Sequence, residues 1–114
     1  MHYCNIQIMR YKFKSEFFKV LAHPLRIQIL DALRAGPTTV GGLMKKLDVE
    51  QSTLSQQLAV LRGRNFVITE RAGTSVRYSV SDPAIWRLLD AALEIFENHL
   101  VTVRSELENL RGQA

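Results

Sequence analysis

One change of rhythm constrains this chain more than any other feature. From Phe13 to residue 65 the apolar residues keep a helical spacing, and from residue 66 they alternate. Phe66-Val67-Ile68-Thr69-Glu70-Arg71 and Val76-Arg77-Tyr78-Ser79-Val80 are rich in β-branched and aromatic residues. Between them stands Ala72-Gly73-Thr74-Ser75, with a glycine where a tight turn needs positive φ, so the pattern predicts a β-hairpin over about 67–80. After Asp82-Pro83 the helical period returns and holds to Leu110. A chain that runs short helices, one hairpin and one long helix is mainly α with a β-hairpin.

The helices before the hairpin have readable boundaries. Phe13, Phe17, Phe18 and Leu21 form the apolar face of a first helix, which stops at His23-Pro24 because a residue before proline is pushed out of the helical region. Pro24 suits the first position of the next helix, whose face is Leu25, Ile29, Leu30 and Leu33 and whose end is Gly36-Pro37. Thr38 and Thr39 predict a short extended piece and a cap for a third helix over 42–47. Asp48-Val49-Glu50-Gln51 reads as a turn, with Ser52 as N-cap of a fourth helix, 52–62, built on Leu54, Leu58 and Leu61. Asp82 as N-cap and Pro83 as first residue open the last helix. Residues 1–11 lack a period and are expected to be an extension, ordered in part at most; residues 12–111 are expected to form one domain.

Two short helices joined by a tight turn and followed by a hairpin describe a winged helix-turn-helix, whose second helix enters the major groove of DNA. The fourth helix suits that task. Opposite its leucines it carries Gln51, Ser52, Thr53, Ser55, Gln56 and Gln57, and glutamine, serine and threonine can all bond base edges. A cap needs one or two such residues, not six. Cations stand where phosphates would lie: Lys45 and Lys46 on the preceding helix, Arg62 and Arg64 at the end of the candidate recognition helix, Arg71 and Arg77 near the hairpin tip. Charge is divided accordingly, with +7 over residues 1–81 and −3 over 82–114, within a net +4. Double-stranded DNA is therefore the expected partner.

The chain also resembles a known family. Phe18-Lys19-Val20-Leu21-Ala22-His23-Pro24-Leu25-Arg26-Ile27-Gln28-Ile29-Leu30 is similar to the opening signature of the ArsR/SmtB (arsenic-repressor) regulators. Ser52-Thr53-Leu54-Ser55-Gln56-Gln57-Leu58-Ala59-Val60-Leu61-Arg62 resembles their recognition helix, and Arg77-Tyr78-Ser79-Val80 the second arm of their wing. The resemblance spans roughly residues 13–100. It implies a winged-helix homodimer that represses transcription and releases DNA on sensing a ligand. Gln57 departs from the family, which commonly has histidine there. The last helix fits a dimer on physical grounds too, because its apolar positions 85, 89, 92, 96, 100, 103, 107 and 110 step by three and four along about 27 residues, more than a small globule can cover. Phe13, Phe17, Ile85, Leu89, Ala92, Phe96, Leu100 and Val103 are the expected interface, and two-fold symmetry then implies an inverted-repeat operator.

The family's sensing residues do not carry over. Thiolate-sensing members place Cys-x-Cys where this chain has Val40-Gly41-Gly42-Leu43-Met44. Zinc-sensing members use an Asp-x-His pair and a further histidine on the last helix, where this chain has Asp90-Ala91-Ala92 and a single His99 among Glu94, Glu97 and Glu106. Cys4 is the one cysteine, so no disulfide can form within the chain; a Cys4–Cys4 bond between copies remains the redox alternative. His23 is expected at its helix boundary, not in a metal site. The expectation is a regulator without metal or cofactor, whose effector the sequence does not specify. Gly41-Gly42 and Gly73 match no phosphate-cradling loop and the three histidines form no catalytic set, so an enzyme is not expected. No stretch is apolar enough to span a membrane and the opening residues lack the order of a secretory signal, which predicts a cytoplasmic protein. The alternatives are a winged helix used for protein–protein assembly and a metal- or redox-responsive repressor.

Overall fold

The structure is a computed structural model that describes residues 2–113, with side chains from 6 to 112. Five helices and one hairpin follow in order: α1 His2–Leu21, α2 Pro24–Ala32 with a 3₁₀ turn Leu33–Ala35, α3 Val40–Leu47, α4 Gln51–Gly63, β1 Val67–Ala72, β2 Ser75–Val80 and α5 Ala84–Gln113. The chain falls into two compact units, Met1–Asp82 and Pro83–Ala114. The first helix starts at His2, eleven residues before Phe13. Cys4 lies within this helix, and its side chain is outside the described residues.

In the first unit, helix starts and stops follow local chemistry. The His23 ring nitrogen Nδ1 accepts from the Leu25 N–H at 3.2 Å, and Pro24 begins α2, so His23 is an N-cap as its place before proline suggests. Thr39 caps α3 by accepting from the Gly42 N–H at 3.1 Å. Gly42 has a packing reason as well, because a Cβ there would collide with the Thr38 hydroxyl. At α4 the expected cap is wrong. Ser52 lies inside the first turn, and Glu50 holds the N-cap position without a side-chain bond, since the helix opens at Gln51.

The far end of α4 is closed by backbone geometry. Asn65 adopts φ +63, Phe66 N–H reaches the Leu61 carbonyl at 2.8 Å and Asn65 N–H reaches that of Arg62 at 3.1 Å. This crossed pair is a Schellman motif, in which a left-handed residue satisfies the last carbonyls and turns the chain sharply. The turn delivers Phe66 and Val67, both buried, straight into the core and starts the hairpin.

The core of this unit is made of Val20, Leu21, Ile29, Leu30, Leu33, Leu43, Leu54, Leu58, Leu61, Phe66 and Val67. Ile29, Leu30, Leu33, Leu54, Leu58 and Leu61 are buried as the periodicity predicts. The face of α1 is rotated from the expected one: Val20 and Leu21 are buried and Phe17 is half-buried, whereas Phe13 and Phe18 are exposed. One further pairing holds the hairpin. Thr38 and Tyr78 exchange both backbone hydrogen bonds, at 3.1 and 2.7 Å, so the segment before α3 adds a one-residue strand beside β2.

Candidate nucleic-acid interface

The candidate recognition helix has two sharply different sides. Leu54, Leu58 and Leu61 are 0–1% exposed, and this apolar stripe fixes the helix to the core. Gln51, Ser52, Thr53, Ser55 and Gln56 are all exposed in the N-terminal half of α4. A helix with a dry leucine stripe and a surface of small uncharged hydrogen-bonding groups can lie in a groove without the desolvation cost of buried charge.

Gln57 is not part of this free surface. It is half-buried, and its Oε1 accepts a hydrogen bond of 2.8 Å from Arg26 Nε. Arg26 Nη1 donates at 3.3 Å to the Val20 carbonyl near the end of α1. The arginine thus ties α1, α2 and α4 together, a role that the sequence reading missed. The available signal was angular: at about 100° per residue, position 57 falls about 60° from Leu54, on the flank of the buried stripe.

The hairpin separates its two arginines. Register pairs Val67 with Val80, Thr69 with Tyr78 and Arg71 with Val76 on one face, and Ile68 with Ser79 and Glu70 with Arg77 on the other. Arg71 and Arg77 are both exposed but point to opposite sides of the ribbon, and Arg77 has the Glu70 carboxylate directly across from it. The turn is Gly73-Thr74, with Gly73 at φ +65, the glycine-first arrangement of a II′ turn.

The remaining cations are near α4 in sequence. Arg62 occupies its last turn and Arg64 its C-cap, both exposed. Lys45 and Lys46 are exposed in the last turn of α3, where they also suit the helix dipole. Lys46 Nζ lies 3.5 Å from the carbonyl of Ala32 at the end of α2, so part of its donor capacity is already used within the chain. Among the described residues no three His, Cys, Asp or Glu side chains come together as a metal-holding group.

The expected dimer residues divide into covered and uncovered sets. Phe17 stacks on Phe66 with ring centroids 4.7 Å apart and planes 28° apart, so its ring packs within its own chain. Ile85 is buried and Leu89 half-buried. Phe13, Ala92, Phe96, Leu100 and Val103 are exposed, the phenylalanines by more than half.

Comparison with known proteins agrees with this geometry. The family described as "Bacterial regulatory protein, arsR family" matches residues 23–69, from the cap of α2 into β1. The HTH-type transcriptional regulator Rv0081 of Mycobacterium tuberculosis is 43% identical over 103 residues, covering 90% of each chain. Its crystal structure superposes with a TM-score of 0.73 over 80% of this chain and 92% of that one. The biofilm growth-associated repressor of Agrobacterium fabrum is 42% identical over 78 residues, 68% of this chain and 67% of its own. The homodimeric winged helix-turn-helix domain of Mb0332 from Mycobacterium bovis, in a solution structure, has a TM-score of 0.73 at 26% identity over 82% of this chain and 87% of that one. With its capped helix pair, hairpin wing and long final helix, this chain belongs to the arsR family of bacterial regulatory proteins and has the winged helix-turn-helix fold.

Proposed function

We propose that this protein is a dimeric transcriptional repressor of the cytoplasm that binds an inverted-repeat operator. In this reading α4 lies in the major groove with Gln51, Ser52, Thr53, Ser55 and Gln56 towards the bases. Arg62, Arg64, Lys45 and Lys46 meet phosphates, and the hairpin follows the adjacent backbone as a wing. The observation that carries the reading is the sidedness of α4: five exposed uncharged polar residues over three fully buried leucines. Placing Arg71 and Arg77 on opposite faces suits a wing that stands between two phosphate walls.

The exposed apolar residues of α5 favour a second copy as partner, as with the homodimeric Mb0332 domain. Two recognition helices then sit about 34 Å apart, one turn of DNA. Regulation without a bound metal is proposed.

Selection of bound sequences from a random duplex pool tests the proposal. It should return a two-fold-symmetric site, with affinity falling steeply as salt rises. A Gln56→Ala/Arg77→Ala double variant should lose preference for that site. Salt-insensitive or absent duplex binding at low ionic strength would favour a protein–protein assembly role.

A further inference from the structure

We infer that Arg26 is a positioning residue for the recognition helix, holding its rotation through Gln57. The inference rests on the DNA-binding reading above and adds a residue that touches no DNA.

The three leucines that hold α4 supply a strong but non-directional force. Apolar contact resists separation of the helix from the core far better than it resists a small roll about the helix axis. With a helix radius of about 5–6 Å including side chains, a roll of about 10° moves a side-chain tip by about 1 Å. That is comparable to the tolerance of a site that must place hydrogen-bonding groups accurately. A directional bond at the flank of the stripe is therefore what fixes the azimuth of Ser52, Ser55 and Gln56.

Arg26 supplies it. The guanidinium is planar and rigid, so holding two of its nitrogens fixes its plane. Nη1 is held by the Val20 carbonyl at 3.3 Å and Nε by Gln57 Oε1 at 2.8 Å. Among the described residues Arg26 bonds to two neutral oxygens, one from α1 and one from α4, and to no carboxylate. Both Arg26 and Gln57 are half-buried, which shields the bond from competing water. Gln57, which carries the polar chemistry of a base reader, is an internal strut here.

The test compares wild type with Gln57→Ala, Arg26→Gln, the double variant and Gln57→Glu, the last keeping an acceptor for Arg26. The readout is the ratio of affinity for the selected operator to that for a scrambled duplex of equal length, with melting temperature measured in parallel. Loss of one charge-assisted bond corresponds to roughly tenfold in an equilibrium. Gln57→Ala and Arg26→Gln should each lower the ratio by about that factor, with scrambled-duplex affinity and its salt slope unchanged within error. The double variant should be no worse than either single one, as for two ends of one bond. Gln57→Glu should retain most of the ratio.

Three results would overturn the inference: a ratio unchanged by Gln57→Ala, additive losses in the double variant, or a loss confined to one base position with Arg26→Gln silent. The last would make Gln57 a direct reader. If wild type shows no operator preference, both the inference and the DNA-binding reading fall. If wild type and the Gln56→Ala/Arg77→Ala double variant behave as proposed and Gln57→Ala does not, only the positioning role falls.

Discussion

Helices α4 and α5 are both amphipathic, yet they complete their apolar faces in different ways. In α4 every leucine of the stripe is buried within the chain, and the polar side is what remains for a partner. In α5, coverage ends after its first turns: Leu93, Phe96, Leu100, Leu107 and Leu110 are all about half exposed or more. The same periodicity thus means opposite things. A stripe that the chain covers anchors a helix and offers its polar face; a stripe left open is itself the surface on offer. An exposed ladder of this length is unusual for a solitary protomer and marks an interaction site.

The sharpest way to break this contrast is to truncate one residue of each stripe. Leu58→Ala removes a side chain that is 1% exposed, so it should destabilise the chain by about 2–5 kcal/mol in thermal or urea unfolding. A loss below 1 kcal/mol would mean that the stripe of α4 is not the anchor. Phe96→Glu, at a position 55% exposed, should leave the fold of the protomer intact by circular dichroism. Self-association measured by sedimentation should weaken about thirtyfold or more, as at an interface hot spot. If association is unchanged, the open stripe has another occupant.

Smaller changes sharpen the comparison at the helix starts. Thr39→Ala deletes an observed cap and should cost about 1 kcal/mol of stability. Ser52→Ala should cost little stability, because Ser52 caps nothing in this structure, and should be felt in operator affinity instead. Equal stability losses for the two would restore Ser52 as a cap. Smallest of all is Arg71→Ala, which should reduce the salt slope of duplex binding by about one and leave sequence preference unchanged.

Much of this was legible in the order of residues. The switch of period at 66 gave the hairpin, proline and glycine punctuated the helices, and the leucine triplet identified the anchored side of α4. The helix starts were less readable. Ser52 has the chemistry of a cap, but Asp48 takes a left-handed conformation and α4 begins at Gln51, which puts Ser52 inside the helix. The α1 face was misassigned because its sequence is apolar on several sides: Ile6, Ile8, Met9, Tyr11, Phe13 and Phe18 all lie exposed along it. Periodicity then has no single direction to report, and the tertiary structure selects Phe17, which stacks on Phe66, together with Val20 and Leu21. Long-range polar bonds were invisible. Nothing near Arg26 in the chain announces Gln57, 31 residues away.

By itself, then, the sequence determined the kinds of element, their order and the chemical character of each exposed side. These depend on interactions within a few residues, which spacing and residue type record directly. The tertiary structure decided which polar groups stay free and which are consumed, separating Gln56 from Gln57 and Arg71 from Arg77. Burial and hydrogen-bond geometry depend on what distant segments bring to the same place, and a one-dimensional pattern holds no measure of that distance.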